Sequence, residues 1–89
     1  MNPPNWTVET TSTFDRALRR LDRPVQARII AYLHAVAELS DPRRRGRALT
    51  ATHAGTWRYR VGDHRIIVQI VDERLTILAL TTGHRSAIY

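Results

Sequence analysis

Thr56-Trp57-Arg58-Tyr59-Arg60-Val61-Gly62-Asp63-His64-Arg65-Ile66-Ile67-Val68-Gln69-Ile70-Val71 decides the fold. From Thr56 onward Trp57, Tyr59 and Val61 alternate with Arg58 and Arg60, and a period of two marks a strand with one buried face. The aromatic side belongs under the core, which leaves the other face cationic. Gly62-Asp63 is a tight-turn signal. His64–Val71 and Arg74–Thr81 follow, rich in Ile, Val and Leu on both faces and joined by Asp72-Glu73, as adjacent inner strands are. The prediction for this half is a three-stranded antiparallel meander.

Upstream, the period changes. Trp6–Thr10 carries Trp6 and Val8 two apart and predicts a short first strand after a flexible leader, residues 1–5, that contains Pro3-Pro4. Ser12 is placed as a helix N-cap, and Phe14, Ala17, Leu18 and Leu21 recur at helical spacing. Asp22-Arg23-Pro24 interrupts that pattern, with Asp22 suited to cap and Pro24 to a first helical turn. Val25, Ile29, Leu33 and Val36 then form a second apolar stripe, expected to stop near Leu39 before the turn cluster Ser40-Asp41-Pro42. Arg43-Arg44-Arg45-Gly46-Arg47 has no periodic apolar content and predicts a mobile basic loop. The helical hairpin has only the sheet to bury its stripe against, so the fold class is α+β, two layers in the order β-α-α-β-β-β. The opposite sheet face is left to form a cleft.

Eighty-nine residues leave room for one domain, here 1–89. There is no cysteine, hence no disulfide or thiolate metal site. No stretch approaches the roughly 20 apolar residues of a membrane span, and the N-terminus lacks a signal-peptide layout, so a cytoplasmic protein without a membrane partner is expected. The net charge is +6 and all 14 basic residues are arginine, which points to a polyanion, nucleic acid foremost. Codon usage in a GC-rich genome is an equal explanation of the missing lysine, but not of the charge excess.

The element order, the segment Trp57-Arg58-Tyr59-Arg60-Val61-Gly62-Asp63-His64-Arg65, the later Gly83-His84-Arg85 and the terminal Tyr89 together resemble the RelE/ParE toxin superfamily over nearly the whole chain. The resemblance implies a RelE-like fold, an antiparallel sheet with two helices on one face and an RNA-binding concavity on the other. It implies a toxin of a type II toxin-antitoxin system, a metal-independent, cofactor-free endoribonuclease that cuts mRNA in the ribosomal A site. The implied partners are a cognate RelB-like antitoxin, in a hetero-oligomer, and the 70S ribosome with its mRNA and rRNA. The positions matching the family's site are Arg58, Arg60, Arg65, Arg85 and Tyr89.

Cleavage by the 2′-oxygen of RNA needs a base for that hydroxyl, charge stabilisation at phosphorus and an acid for the departing 5′-oxygen. Arg65 and Arg85 are expected to hold the phosphate in line, with Arg58 and Arg60 adding positive field. Tyr89 stacks on a base or positions through its hydroxyl. Arginine titrates too high to serve as a base, so His84 is the preferred general base and His64 the second choice, a cationic neighbourhood keeping the imidazole neutral enough to accept a proton. For each histidine the plain alternative is a sheet or surface residue, and His34 and His53 are expected to be incidental. Arg43, Arg44, Arg45 and Arg47 either form a solvated loop or grip ribosomal RNA, the latter favoured. The competing functions are inhibition of DNA gyrase, as in the ParE branch, and RNA binding without cleavage.

Overall fold

The computed structural model describes residues 6–49 and 55–87. In chain order the elements are β1 (Thr7–Thr10), α1 (Ser12–Arg19), α2 (Arg23–Ala37), a 3-10 helix (Pro42–Arg45), β2 (Arg47–Leu49), β3 (Thr56–Val61), β4 (His64–Val71), a 3-10 turn (Asp72–Arg74) and β5 (Thr76–His84). The five strands form one sheet in the order β1-β5-β4-β3-β2. The α+β two-layer class holds, with the helical hairpin supplying Phe14, Ile29, Leu33 and Val36 to a core completed by Tyr59, Ile66, Val68, Ile77 and Ala79. No helix among the described residues is long and apolar enough to cross a membrane.

The sheet is richer than the expected meander. β1 pairs with β5 in parallel, Thr7 opposite Thr76 through Thr10 opposite Ala79, so the sheet is mixed. A parallel neighbour reaches its place only through a crossover, and here α1 and α2 lie between β1 and the rest of the sheet in sequence. The expected basic loop is ordered in two pieces, a 3-10 helix and the edge strand β2, which pairs Arg47 with Arg58 and Leu49 with Thr56. Pro42 starts that helix, and the Asp41 carboxylate accepts the Arg43 backbone N–H. Local propensity gave no sign of β2 because its pairing partner is the separate strand β3.

The helix ends shift for local reasons. Thr11, not Ser12, is the N-cap of α1, its hydroxyl accepting the Phe14 N–H at 3.0 Å while donating to the Leu80 carbonyl at 2.9 Å. That second bond ties the helix start to β5, which Ser12 one residue on cannot do. Asp22 occupies the N-cap of α2 without a side-chain bond to it, and α2 ends at Ala37 rather than near Leu39. The second inner strand starts at Thr76 rather than Arg74, because Asp72–Arg74 turns as a 3-10 element and Leu75 closes it at φ 47°. The leader, His53 and Tyr89 lie outside the described residues.

Tyr59 organises the junction between layers. Its ring is fully buried and lies 5.6 Å from that of Tyr32 on α2, and its hydroxyl donates to the Pro42 carbonyl at 2.7 Å. Burial pushes this phenol well above its ordinary value, so it remains a donor throughout the accessible pH range. Gly46 passes directly over the ring, where a Cβ would come within 3.0 Å of it. Arg43 bridges Asp41 and Asp72 and stands over the Trp57 ring, 5.9 Å from its centroid. Burial alone would lower the Arg43 pKa, but the bonds to Asp72 and Asp41 hold it above its ordinary value.

Replacing Tyr59 by Phe strands the buried Pro42 carbonyl. The expected loss is about 1–3 kcal/mol of unfolding free energy, read from urea titrations, and an unchanged midpoint would mean that another donor reaches Pro42. The clamp also carries an acid sensitivity. The Arg43 backbone N–H holds the Asp41 carboxyl below its ordinary 3.8, so its contribution is complete above that value and is lost as the pH falls through the lowered one. Asp41→Asn, which removes the titrating carboxyl, should flatten that part of the acid unfolding curve.

Candidate nucleic-acid interface

Strand parity places the arginines. Tyr59 and Ile66 face the core opposite each other, so Arg58 and Arg60 of β3 and Arg65 of β4 point to the other side of the sheet. The register sets Arg60 opposite Arg65, and β2 brings Arg47 opposite Arg58. Four guanidinium groups thus share one face, and no ion pair among the described residues involves any of them; the carboxylates of Asp41, Asp72 and Glu9 pair with Arg43 and Arg74 instead. Like charges directly opposite each other on neighbouring strands are unfavourable. The fold holds this cluster against its own repulsion.

Arg58 bears most of that cost. Burial lowers its pKa, and Arg60, Arg65 and Arg47 lower it further by repulsion. Its Nε is buried with no hydrogen-bond partner. A buried donor without an acceptor costs on the order of 1–3 kcal/mol, and a bound phosphate oxygen is the group that would satisfy it while relieving the repulsion. Beside it, Tyr32, Arg45, Gly46, Arg47, Arg58 and Arg60 line a hollow of about 240 Å³. Burial raises the Tyr32 pKa and Arg45 draws it down, so a phenolic O–H stands among arginines there.

The other expected site residues fall into place unevenly. Arg65 donates to the His64 carbonyl at 3.4 Å, and its own carbonyl accepts the Thr82 hydroxyl at 2.7 Å. The Arg85 N–H is bonded to the Asp63 carbonyl at 2.8 Å, which anchors the chain end beside the β3–β4 turn next to Arg65. His84 lies opposite His64 with ring centroids 5.4 Å apart, edge to face. Parity puts this pair on the face away from Arg58, Arg60 and Arg65, at the margin of the sheet. The His84 Nδ1 accepts the Ser86 N–H at 3.1 Å and sits 2.8 Å from the Ser86 hydroxyl. A neutral His84 in this arrangement therefore carries its proton on Nε2.

Of the basic run, Arg43 is committed to Asp41 and Asp72, whereas Arg44, Arg45 and Arg47 are exposed. Trp57 is half-buried against the core and Tyr59 fully buried, so neither is a free stacking platform. His34 is exposed on α2. Tyr32 escaped the sequence reading: it flanks the apolar stripe of α2, and only the fold sets it beside Arg45. Among the described residues no three His, Cys, Asp or Glu side chains gather into a metal site.

Comparison with known proteins agrees with this fold. The family model described as the ParE toxin of the type II toxin-antitoxin system parDE matches residues 8–89. Toxin RelG of Mycobacterium tuberculosis is 35% identical over 85 residues, which cover 94% of this chain and 95% of that protein. The fold superposes on a chain of the RelBE2 toxin-antitoxin complex of the same organism with a TM-score of 0.84 and 30% identity, over 92% of this chain and 93% of that one. The isolated Escherichia coli RelE toxin gives a TM-score of 0.73 at 17% identity, over 89% and 83% of the two chains, a likeness of fold.

An unsatisfied cationic cluster trades stability for binding. Arg58→Met should raise the unfolding free energy by about 1 kcal/mol and abolish most of the thermal stabilisation that inorganic phosphate confers on the unaltered protein. Thermal melts of both forms with and without phosphate test this, and equal phosphate shifts would remove Arg58 from the anion site.

Proposed function

The chain belongs to the RelE/ParE superfamily of type II toxin-antitoxin toxins, and from that premise we propose that it is a ribosome-dependent endoribonuclease that cleaves mRNA in the A site. The observation that carries the proposal is the cluster of Arg47, Arg58, Arg60 and Arg65, free of ion pairs among the described residues and with the Arg58 Nε unsatisfied. Such a surface is built for phosphate. Arginine forks fix a phosphodiester in line and neutralise charge where it develops during attack by the 2′-oxygen.

In this reading Arg65 and Arg58 hold the scissile phosphate, Arg60 adds field, and Arg85 closes the site from the chain end anchored at Asp63. Tyr89, four residues further on, stacks on or positions the substrate. His84 acts from the margin of the sheet. With Nδ1 accepting from Ser86 its neutral ring presents an Nε2–H and no free lone pair, so it donates a hydrogen bond to the departing 5′-oxygen and is not set up to deprotonate the 2′-hydroxyl as the base expected of it. None of these steps requires a metal or cofactor. Arg44, Arg45 and Arg47 carry exposed charge alongside and grip ribosomal RNA phosphates, an attraction that weakens steeply with salt. Arg43 contributes by holding that segment in place through Asp41 and Asp72.

The partner that restrains such a toxin is an antitoxin, as in the RelB–RelE complexes whose toxin chains share this fold. An acidic segment complements the arginine face, and the toxin-antitoxin hetero-oligomer is the resting form. The cytoplasm, where ribosomes work, is its place. The matching family model is that of the ParE toxin, and the resemblance to that branch supports a second reading, inhibition of DNA gyrase without RNA cleavage.

In vitro translation with primer-extension mapping separates the readings. Message cuts within the A-site codon are expected for the unaltered protein. Arg65→Ala should lower the cleavage rate about 10²–10³-fold, as loss of a charge-stabilising donor does, and His84→Ala about 10²-fold, the low end for a donor aimed at developing charge. Full cleavage by Arg65→Ala would sink the nuclease assignment, and DNA damage without message cuts would select gyrase.

A further inference from the structure

The arginine-bearing face also holds an apolar cleft, and strand register fixes the distance between the two. One row across the sheet reads Arg47, Arg58, Ile67, Thr81, and the next Leu49, Thr56, Gln69, Leu78. Ile67 therefore stands directly across from Arg58, about 4.8 Å away in the strand-pairing direction. Between β4 and β5 the register shifts at Ile67/Val68, which leaves Leu80 as the extra residue of a bulge. A bulge bends the strand and re-aims its side chains. Here it opens a cleft of about 530 Å³ with Ala17 and Arg20 of α1 on one side, Leu49 on the other, and Ile67, Leu80 and Thr81 between. That volume lies within the roughly 300–1,000 Å³ of ligand clefts.

The lining selects the occupant. Its floor is branched aliphatic, and no acidic residue lines it, so cations are disfavoured. Arg20 puts positive charge at the rim. The Thr81 hydroxyl has no hydrogen-bond partner among the described residues, whereas the Thr82 hydroxyl is spent on the Arg65 carbonyl. A flat, apolar group carrying polar edge atoms, attached to an anion one strand away, fits all of these at once. A nucleotide has that construction.

We propose that this cleft is a nucleobase subsite, which takes the base of the nucleotide whose phosphate lies on Arg58 and Arg65. Ile67 and Leu80 pack against the face of the base, and the Thr81 hydroxyl hydrogen-bonds its edge. The proposal rests on the reading of the arginine face as an RNA site and adds to it a place where bases are distinguished. Sequence preference at the cut then depends on Thr81, because a group built to hydrogen-bond discriminates by leaving itself unpaired when the wrong edge is offered.

The test uses the free protein and translating ribosomes in parallel. Adenosine 3′-monophosphate is titrated against inorganic phosphate, followed by the methyl NMR signals of Ile67 and Leu80. The nucleotide is expected to bind about tenfold tighter than phosphate and to shift those methyls, while phosphate alone leaves them in place. Thr81→Val should weaken the nucleotide but not phosphate, and should change the base composition at mapped cut sites. Ile67→Trp, which fills the cleft, should abolish the nucleotide's advantage, and Thr81→Val, nearly isosteric, keeps the test decisive if the larger substitution fails to fold. Cleavage by the unaltered protein with an unchanged cut pattern for Thr81→Val, and no nucleotide advantage, overturns the subsite and leaves the nuclease reading standing. Nucleotide binding in the cleft without any message cleavage supports the subsite and sinks the nuclease reading. Loss of antitoxin capture by both variants, with nucleotide binding intact, assigns the cleft to a peptide and overturns the proposal.

Discussion

The arrangement depends on the burial of Tyr59. Its ring beneath α2 and its hydroxyl on the Pro42 carbonyl lock which face of β3 points inward. A strand has only two faces, so a slip of one residue would drive Arg58 and Arg60 into the core and Tyr59 into water. Desolvating two unpaired guanidinium groups is far costlier than any gain from the alternative packing. One aromatic side chain therefore sets the direction of the whole cationic face. Gly46 passing over the ring and Arg43 beside Trp57 hold the segment that brings Arg47 to the same cluster.

That cluster runs against the economy of the rest of the molecule. Elsewhere polar groups are matched: Thr11 caps α1, Thr82 satisfies the Arg65 carbonyl, and Arg43 is shared between two carboxylates. On the open face four arginines repel each other, and Arg58 leaves a buried Nε unpaired. Local violations of otherwise consistent chemistry are where function resides. The acidic residues that form ion pairs lie outside the cluster, so the positive field is left for an outside anion.

The histidines show how parity redistributes chemistry that looks contiguous in sequence. His84 and Arg85 are neighbours in the chain, as are His64 and Arg65, yet successive side chains on a strand point to opposite faces. His64 and His84 consequently meet each other edge to face, across the sheet from the arginines. The arginine cluster and the histidine pair are separated by the thickness of one strand at its end.

Much of this was legible in the sequence. The alternation in Thr56–Val61 located the cationic strand, the stripe Ile29, Leu33 and Val36 located the helix that covers the sheet, and both are local patterns that burial imposes on any chain of this kind. The strand order, the parallel pairing of β1 with β5, the capture of Arg43 by Asp72, the choice of Thr11 over Ser12 as cap and the cleft between α1 and the Leu80 bulge were not. Each joins residues far apart in the chain, and nothing in the spacing of either partner records the other. Periodicity alone determined which side chains face inward and outward. Only the tertiary structure decided which outward charges are neutralised and which remain free, because that depends on long-range contacts.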